Sequence, residues 1–337
     1  MSELESELDA LAAEKAFSGV IRVDLADRVE VAKAFGLAHR GCGIPNTVDT
    51  RFAIASGTKG LTALTVVSLI EEGRLELATP ARSVLEDDLL LIPDDVTVEH
   101  LLAHRSGIGD YLDEESELDL HDYLMPVPVH ELAATEQYLT ALDGHEPKFP
   151  AGERFAYCNS GYVVLALIAE RVTRVPFHEL VRQRVCGPAE MGDTEFLRSD
   201  ELPDRAAIGY LAPEGSRTNV FHLPVRGSGD GGIYSTAEDI ARLWRAFFAG
   251  RIVSVKWVAE MVRPHSLIAT GTRAYGLGFW LDTAADSAIL AGSDAGVSFR
   301  TEYRSREDRT TTLISNTTHG AWSIARHLAD PRWRQAP

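Results

Sequence analysis

Both ends of the chain carry the apolar patterns of β-strands. Near the N-terminus, three short runs are separated by turns rich in Gly and Asn: FSGVIRVDL, RVEVAKAFG and TRFAIA. Strand patterns return late in the chain as YGLGFWL, SAILAG, VSFRTEYR and RTTTLISN. Their short connections favour antiparallel pairing, and the segment GAWSIARHL that follows predicts a helix.

The middle of the chain has the period of α-helices instead. Apolar residues recur at helical spacing from Leu61 to Ile70, and Glu72-Gly73 follows as a helix stop. Three further segments predict helices: VTVEHLLAHRSG, HELAATEQYLTAL and SGYVVLALIAERVTR. The stretch from Ser235 to Glu238 has the pattern of a capping box and predicts the start of another helix.

These patterns predict an α/β fold of the α+β type. An antiparallel sheet flanked by helices would come from residues 1–60 and 240–337, with a mainly helical domain of residues 61–239 inserted between them. A single hydrophobic core is near its practical size limit at 337 residues, which favours two parts with a cleft between them. We expect the functional site in that cleft.

Charge and composition argue against several classes of partner. The chain has 33 Lys and Arg against 50 Asp and Glu, a formal net charge of -17, and no basic run, which disfavours nucleic acid. The apolar stretches 61–70 and 162–169 are shorter than the about 20 residues that span a bilayer. The acidic N-terminal sequence lacks a secretion-signal pattern, and Cys42, Cys158 and Cys186 are too widely spaced for a zinc site or disulfide framework. We therefore expect a cytoplasmic protein without membrane contact.

The first candidate for chemistry is Ser56-Gly57-Thr58-Lys59, where a predicted strand meets the apolar helix. A serine and a lysine three residues apart lie on one face of a helix. A neutral lysine can take the serine proton, and the free N–H groups of a helix N-terminus can hold a developing oxyanion. A serine N-cap followed by a solvated lysine would give the same pattern.

The second candidate is Tyr157-Cys158-Asn159, which precedes another apolar helix. In an extended segment the tyrosine and asparagine side chains point the same way. A phenol beside an ammonium group can act as general acid or base, and an asparagine amide can bind a substrate carbonyl. The alternative is a packed tyrosine next to an asparagine turn.

Five segments occur in one order along the chain: FAIASGTKG, VTVEHLLAHRSGIGDY, FPAGERFAYCNSGYVVLALIAERV, GDGGIYSTAEDIARL and LAGSDAGVSF. Over about residues 17–320 the sequence therefore resembles the serine β-lactamase and penicillin-binding protein superfamily, particularly its class C-like carboxypeptidases and family VIII esterases. The resemblance implies that Ser56 is the acylated nucleophile, with Lys59 as its base. It also implies that Tyr157 is a second general base and that Asn159 positions the substrate and the lysine.

The family carries a third motif on a strand beside the nucleophile: Lys or His, a small residue, then Gly. The resemblance assigns Ser293-Asp294-Ala295-Gly296 to this motif and to substrate binding. Serine replaces the cation and alanine replaces a glycine, so a substrate carboxylate would lose a charge-assisted bond. Arg300 is either a replacement for this cation or a surface residue.

Rival sites have less support. His100 and His104 are spaced i, i+4, but neither an HExxH pattern nor a third ligand accompanies them, so we expect no metal and no cofactor. No GxSxG is present, which excludes an α/β-hydrolase elbow. The glycine-rich stretch 227–232 lacks the preceding strand and following acidic residue of a dinucleotide site.

The sequence thus predicts a serine hydrolase that forms an acyl-enzyme on Ser56 and acts as an esterase or amidase on a small-molecule ester or amide. Two alternatives remain open at this point. One is β-lactamase or D-Ala-D-Ala carboxypeptidase activity, and the other is a catalytically silent member that binds a ligand in the cleft. Nothing in the sequence indicates a particular oligomeric state.

Overall fold

The computed structural model describes residues 3–114, 122–268 and 271–328. Its strands are β1 (Gly19–Leu25), β2 (Arg28–Phe35), β3 (Leu37–His39), β4 (Ile44–Pro45), β5 (Phe52–Ala53), β6 (Tyr234–Ser235), β7 (Ser266–Leu267), β8 (Arg273–Tyr275), β9 (Trp280–Asp282), β10 (Ser287–Asp294), β11 (Val297–Arg304) and β12 (Arg309–Ser315). Its α-helices are α1 (Glu3–Glu14), α2 (Thr58–Glu71), α3 (Arg82–Leu85), α4 (Val98–Leu102), α5 (Leu139–Leu142), α6 (Asn159–Thr173), α7 (Phe177–Val181), α8 (Ala237–Phe248), α9 (Val255–Met261) and α10 (Gly320–Leu328).

Strands from both chain ends form one eight-stranded antiparallel sheet, in the order β2-β1-β12-β11-β10-β9-β8-β7. The first and last strands pair directly, from Gly19 opposite Ser315 to Leu25 opposite Arg309. This arrangement confirms the predicted fold class, an antiparallel sheet flanked by helices and built from both ends of the chain.

Strand β1 is buried along almost its whole length because both faces of the sheet are covered. On one face Ile21 packs with Leu8 of α1 and Ile324 of α10. On the other face Val20 belongs to the main core, which also contains the helices of the middle segment. The continuous apolar run FSGVIRVDL therefore reflects a strand between two layers of helices.

Helices α2 and α6 form the centre of the helical part and pack against each other. Every residue from Thr58 to Leu69 is buried in α2, and every residue from Asn159 to Ala169 is buried in α6. A helix that is apolar on all sides must lie inside a core, as both of these do. Gly73, at φ +74°, follows α2 as the sequence predicts.

Two local predictions were wrong. The segment 130–142, expected as one helix, contains two 3₁₀ turns and the four-residue helix α5, because the Gln137 side chain accepts hydrogen bonds from the backbone N–H groups of Ala133 and Ala134 and holds Ala134 extended. Thr236, and not Ser235, caps α8 by accepting from Asp239 N at 3.1 Å.

Across the described ranges, the helices fall short of the length and apolar character that a membrane span requires.

Candidate active site

Ser56 lies at a sharp bend between β5 and α2. A 3₁₀ turn, Ala55–Gly57, joins the two elements, and its first residue has φ +44°, in the left-handed region that L side chains rarely adopt. Holding a non-glycine residue there costs about 1–3 kcal/mol, which the surrounding packing must offset. Thr58 helps to hold the bend, since its Oγ1 donates to Ala55 O at 2.7 Å. The bend presents the Ser56 hydroxyl to the cleft at the N-terminal end of α2.

Lys59 is the nearest basic group to this hydroxyl. Its side chain is only 2% exposed, and Nζ lies 2.9 Å from Ser56 Oγ, 2.7 Å from Asn159 Oδ1 and 2.7 Å from Asp230 O. Two of these three neighbours are carbonyl oxygens, which can only accept hydrogen bonds. When the amine is neutral, its two N–H groups therefore point at Asn159 and Asp230, and its lone pair points at Ser56. This is the geometry of a base for the serine proton.

Tyr157 completes the group around the serine. Lys59 Nζ lies 4.9 Å from the centre of the phenol ring, and the Tyr157 hydroxyl is hydrogen-bonded to Ser56. Burial raises the pKa of Tyr157 well above its ordinary value, and the negative charge of Glu114 raises it further. The phenol is therefore protonated at neutral pH in the resting protein and can donate a proton.

Asn159 begins α6 and is fixed by Asp110. The two carboxylate oxygens of Asp110 accept from Asn159 N at 2.8 Å and Ser160 N at 2.9 Å, so a residue from another loop caps this helix. The side chain of Asn159 donates to Leu112 O at 2.8 Å and Glu114 Oε1 at 3.2 Å, and accepts from Lys59. The geometry supports Asn159 mainly as the group that orients Lys59.

Strand β10 forms the wall opposite Ser56, and Gly292 is its residue of closest approach. A Cβ built on Gly292 would lie 2.6 Å from both Ser56 N and Ile54 O. Ala295 lies in the β10–β11 hairpin turn and accepts from Asn219 Nδ2 at 2.9 Å through its carbonyl oxygen. Of the predicted third motif, Ser293 therefore directly follows the residue of closest approach, and Ala295 lies beyond the end of the strand.

The rest of that motif divides between the cavity and the turn. Ser293 lines the cavity together with Ser56, and Asp294 lines its inner chamber. Gly296, at φ +71°, forms the hairpin turn, where its N–H donates to Thr318 Oγ1 at 2.9 Å. Two of the four predicted residues therefore border the space next to Ser56.

The cavity beside Ser56 has a volume of about 470 Å³ and walls of mixed character. Its apolar and aromatic walls include Leu112, Tyr123, Tyr157, Trp280, Leu281, Ile289, Ala291 and Trp322. Arg273 and Arg300 lie in the same walls, and Arg300 is paired with Glu302 at 3.0 Å. Arg300 is therefore a cleft residue whose charge is partly neutralised.

A smaller inner chamber continues from Ser56 and is acidic. Glu114, Asp230 and Asp294 line it, and none of the three forms an ion pair within residues 3–114, 122–268 and 271–328. Burial, together with the charges of Asp230 and Glu114, raises the pKa of Asp294 to about 7. Burial also raises the pKa of Asp230, although Lys59 and a hydrogen bond from Tyr111 oppose this shift.

Four further residues contribute to the site and were not among the predicted site residues. Gly292, Asp230, Trp280 and His104 each act through a contact with a distant part of the chain. Three of them lie in segments that resemble the family: His104 in VTVEHLLAHRSGIGDY, Asp230 in GDGGIYSTAEDIARL and Gly292 in LAGSDAGVSF. In the part of the chain that the structure describes, no group of three His, Cys, Asp or Glu side chains is arranged to hold a metal ion.

The chain is similar to proteins of known family. The family model described as Beta-lactamase matches residues 4–328. Putative penicillin-binding protein PbpX of Bacillus subtilis (strain 168) is 27% identical over 271 residues, which cover 79% of this chain and 62%, less than two thirds, of that protein. Esterase EstB of Burkholderia gladioli is 28% identical over 301 residues, covering 77% of this chain and 74% of the esterase. The crystal structure of a penicillin binding protein from Bacillus halodurans matches with a TM-score of 0.89 and 32% identity, covering 95% of this chain and 98% of that one. The resemblance found in the sequence is confirmed, and the chain belongs to the Beta-lactamase family.

Proposed function

We propose that the protein is a serine hydrolase that forms an acyl-enzyme on Ser56 and cleaves a small ester or amide. One observation carries the proposal: Lys59 Nζ lies 2.9 Å from Ser56 Oγ, while two carbonyl oxygens hold its remaining N–H groups. A serine hydroxyl is a weak nucleophile until an adjacent base removes its proton.

The first step transfers the Ser56 proton to Lys59 while Oγ attacks the substrate carbonyl. Negative charge then develops on the carbonyl oxygen, next to the Ser56 N–H at the helix N-terminus and the backbone of β10 at Gly292. Fixed backbone N–H groups stabilise such an oxyanion without reorganisation. When the carbonyl re-forms, the protonated Tyr157 gives its proton to the leaving oxygen or nitrogen, and the Lys59 ammonium group returns a proton to the phenolate. The net result is an ester on Ser56 and a free alcohol or amine.

Hydrolysis of the acyl-enzyme repeats these transfers with water as the nucleophile. Lys59, neutral again, accepts a proton from water, and Ser56 Oγ recovers a proton as it leaves. The cavity of about 470 Å³ leaves room for water beside a small acyl group. Each cycle consumes one substrate molecule and one water molecule.

Charge in the cavity supports a neutral substrate over an anionic one. The inner chamber contains Glu114, Asp230 and Asp294, and Leu290, Ala291 and Ser293 supply no cation on the strand that faces the nucleophile. Similarity to esterase EstB supports an ester in particular. The alternative, a β-lactam or a peptide with a free carboxylate, is favoured by one observation: Arg273 and Arg300 lie in the outer walls.

Covalent labelling tests the proposal. The protein is incubated with a fluorophosphonate, and its mass and tryptic peptides are measured. We expect one phosphonyl group on Ser56 and parallel loss of p-nitrophenyl acetate hydrolysis. Absence of both labelling and turnover in correctly folded protein would contradict the proposal and favour a silent member that only binds a ligand.

A further inference from the structure

His104 is a fully buried imidazole beside Tyr157, and it takes no part in the proton transfers proposed for Ser56, Lys59 and Tyr157. It follows α4 at φ +54° and has no exposed surface. Its ring centre lies 4.3 Å from that of Tyr157, 4.9 Å from that of Tyr162 and 4.7 Å from that of Tyr275. An imidazole in such an apolar position must be explained by the hydrogen bonds that it makes.

His104 binds the backbone on both sides of Tyr157. Its Nδ1 accepts from Cys158 N at 3.1 Å, and its carbonyl oxygen accepts from Ala156 N at 2.9 Å. The residues before and after the tyrosine are therefore both anchored, through their N–H groups, to one residue. The loop that carries Tyr157 cannot move away from Ser56 without breaking these two bonds.

The hydrogen bond to Cys158 also fixes the state of the ring. Because Nδ1 accepts a hydrogen bond, the neutral ring carries its hydrogen on Nε2, and Nε2 finds no partner among the residues that the structure describes. Burial lowers the pKa of His104 well below its usual value, and the positive charge of Lys59 lowers it further, so the ring is neutral. A buried N–H without an acceptor is unfavourable, so an apolar side chain would serve packing better. The two features of the histidine that the site uses are therefore its acceptor and its flat ring.

Two aromatic rings pack against the phenol of Tyr157. Trp280 stacks on it at 5.7 Å between ring centres with an interplanar angle of 15°, and His104 packs against it at 4.3 Å and 36°. These contacts restrict rotation of the ring about its side-chain bonds. The hydroxyl is thereby kept at Ser56 and near Lys59 before any substrate binds.

We propose that His104 is a positioning residue for the acid/base work of Tyr157, acting through its Nδ1 acceptor and its ring face. The inference rests on the proposed function, because it assigns His104 a part in the same proton transfers. Misplacing a reacting group by about 1 Å can cost a factor of roughly 100 in rate. Loss of the acceptor should therefore lower kcat about 10- to 100-fold and leave KM within about twofold, since His104 acts on the chemical step and not on substrate binding.

Two amide side chains that differ by one methylene group provide the test. His104→Asn can place its Oδ1 near the position of the imidazole Nδ1 and should retain kcat within about threefold, whereas His104→Gln places its carbonyl farther out and should show the full loss. Both substitutions bury one amide, so a general effect of polarity would affect them equally. Thermal unfolding of each variant shows the folded fraction to which kcat is normalised. Equal kcat for the two folded variants would overturn the proposal.

A double-mutant cycle separates positioning from mere support of the fold. If His104 acts through the Tyr157 hydroxyl, His104→Gln should cost little further activity in a Tyr157→Phe background, where that hydroxyl is already absent. An equal loss in both backgrounds would mean a structural role and would overturn the proposal. Fluorophosphonate labelling of wild-type Ser56 is measured in the same experiment. Labelled and active wild type with an unchanged His104→Gln variant refutes only this inference, while unlabelled, inactive wild type refutes the proposed function.

Discussion

Substituting Gly292 with alanine adds one methyl group but should lower the rate of catalysis strongly. The added Cβ would lie 2.6 Å from Ser56 N and 2.6 Å from Ile54 O, both of them backbone atoms that cannot rotate away. Ordinary contact begins at 3.4 Å, so the strand and the nucleophile must separate by roughly 0.8 Å. The displacement falls on the backbone of the nucleophile itself and on the wall where the oxyanion is proposed to form.

The magnitude follows from what this displacement removes. Loss of a single oxyanion donor typically lowers kcat by about 10² to 10³, or about 2.7–4 kcal/mol of transition-state stabilisation. Overpacking by one methyl group costs about 1–3 kcal/mol of folding stability, which leaves a protein of this size folded at room temperature. We therefore expect kcat of Gly292→Ala on p-nitrophenyl acetate to fall by about 10² to 10³, with a modest decrease in Tm.

Gly231 offers a matched control on the other side of the same bend. A Cβ there would lie 3.6 Å from Ala55 C and O and 4.0 Å from Ser56 N, which is ordinary contact. Gly231→Ala should therefore retain kcat within about threefold. The measurements are kcat, the rate of fluorophosphonate labelling and Tm for both variants. If folded Gly292→Ala turned over the ester as fast as Gly231→Ala, the assignment of β10 as the oxyanion wall would be refuted.

Three further outcomes are expected. Ser56→Ala should abolish ester turnover and labelling with Tm nearly unchanged. Ester turnover by the purified variant at the wild-type rate would disprove the covalent mechanism. Between a neutral ester and a matched ester that carries a carboxylate, the neutral one should have the higher kcat/KM, because a charge-assisted bond worth about 1.5–3 kcal/mol is missing for the anion. A preference for the anionic ester that disappears in Arg300→Gln would assign carboxylate binding to Arg300. Asp294 has its folded-state pKa raised from 3.8 to about 7, so folded protein holds a proton that unfolded chain releases, and stability falls as pH rises between these values. Asp294→Asn should accordingly raise Tm at pH 8 and lose this advantage near pH 4, and a constant Tm difference across that range would contradict the shift.

The fold was largely predictable because its main signals are periodic. Apolar alternation marks the strands at both ends, and the all-round apolar sequences of α2 and α6 mark helices inside a core. The segment 130–142 failed because a side-chain hydrogen bond from a single residue, Gln137, competes with the helix. Periodicity averages over many residues and does not register such a bond.

The candidate site was predictable where its geometry is local. Ser56 and Lys59 are one helical turn apart, so their spacing alone brings the hydroxyl and the amine together. Gly292 could not be assigned from the sequence, because a shift in the register of β10 against the nucleophile changes which residue faces it. His104 is 53 residues from Tyr157 along the chain, and only tertiary packing places its ring against the phenol.

The pairing of the first strand with the last can form only after nearly the whole chain has been synthesised. Ser315 Oγ donates to Ser18 O across 297 residues of sequence. At about 5–20 residues per second, roughly 15–60 s separate the synthesis of these two partners on a ribosome. During that interval β1 has no β12 to pair with, and the strand that covers α2, the apolar helix behind Ser56, has not yet been made. Ser56 and Lys59 are thus made early and acquire their opposite wall, β10, late, so a chain still on the ribosome carries the proposed nucleophile and base without the strand that faces them.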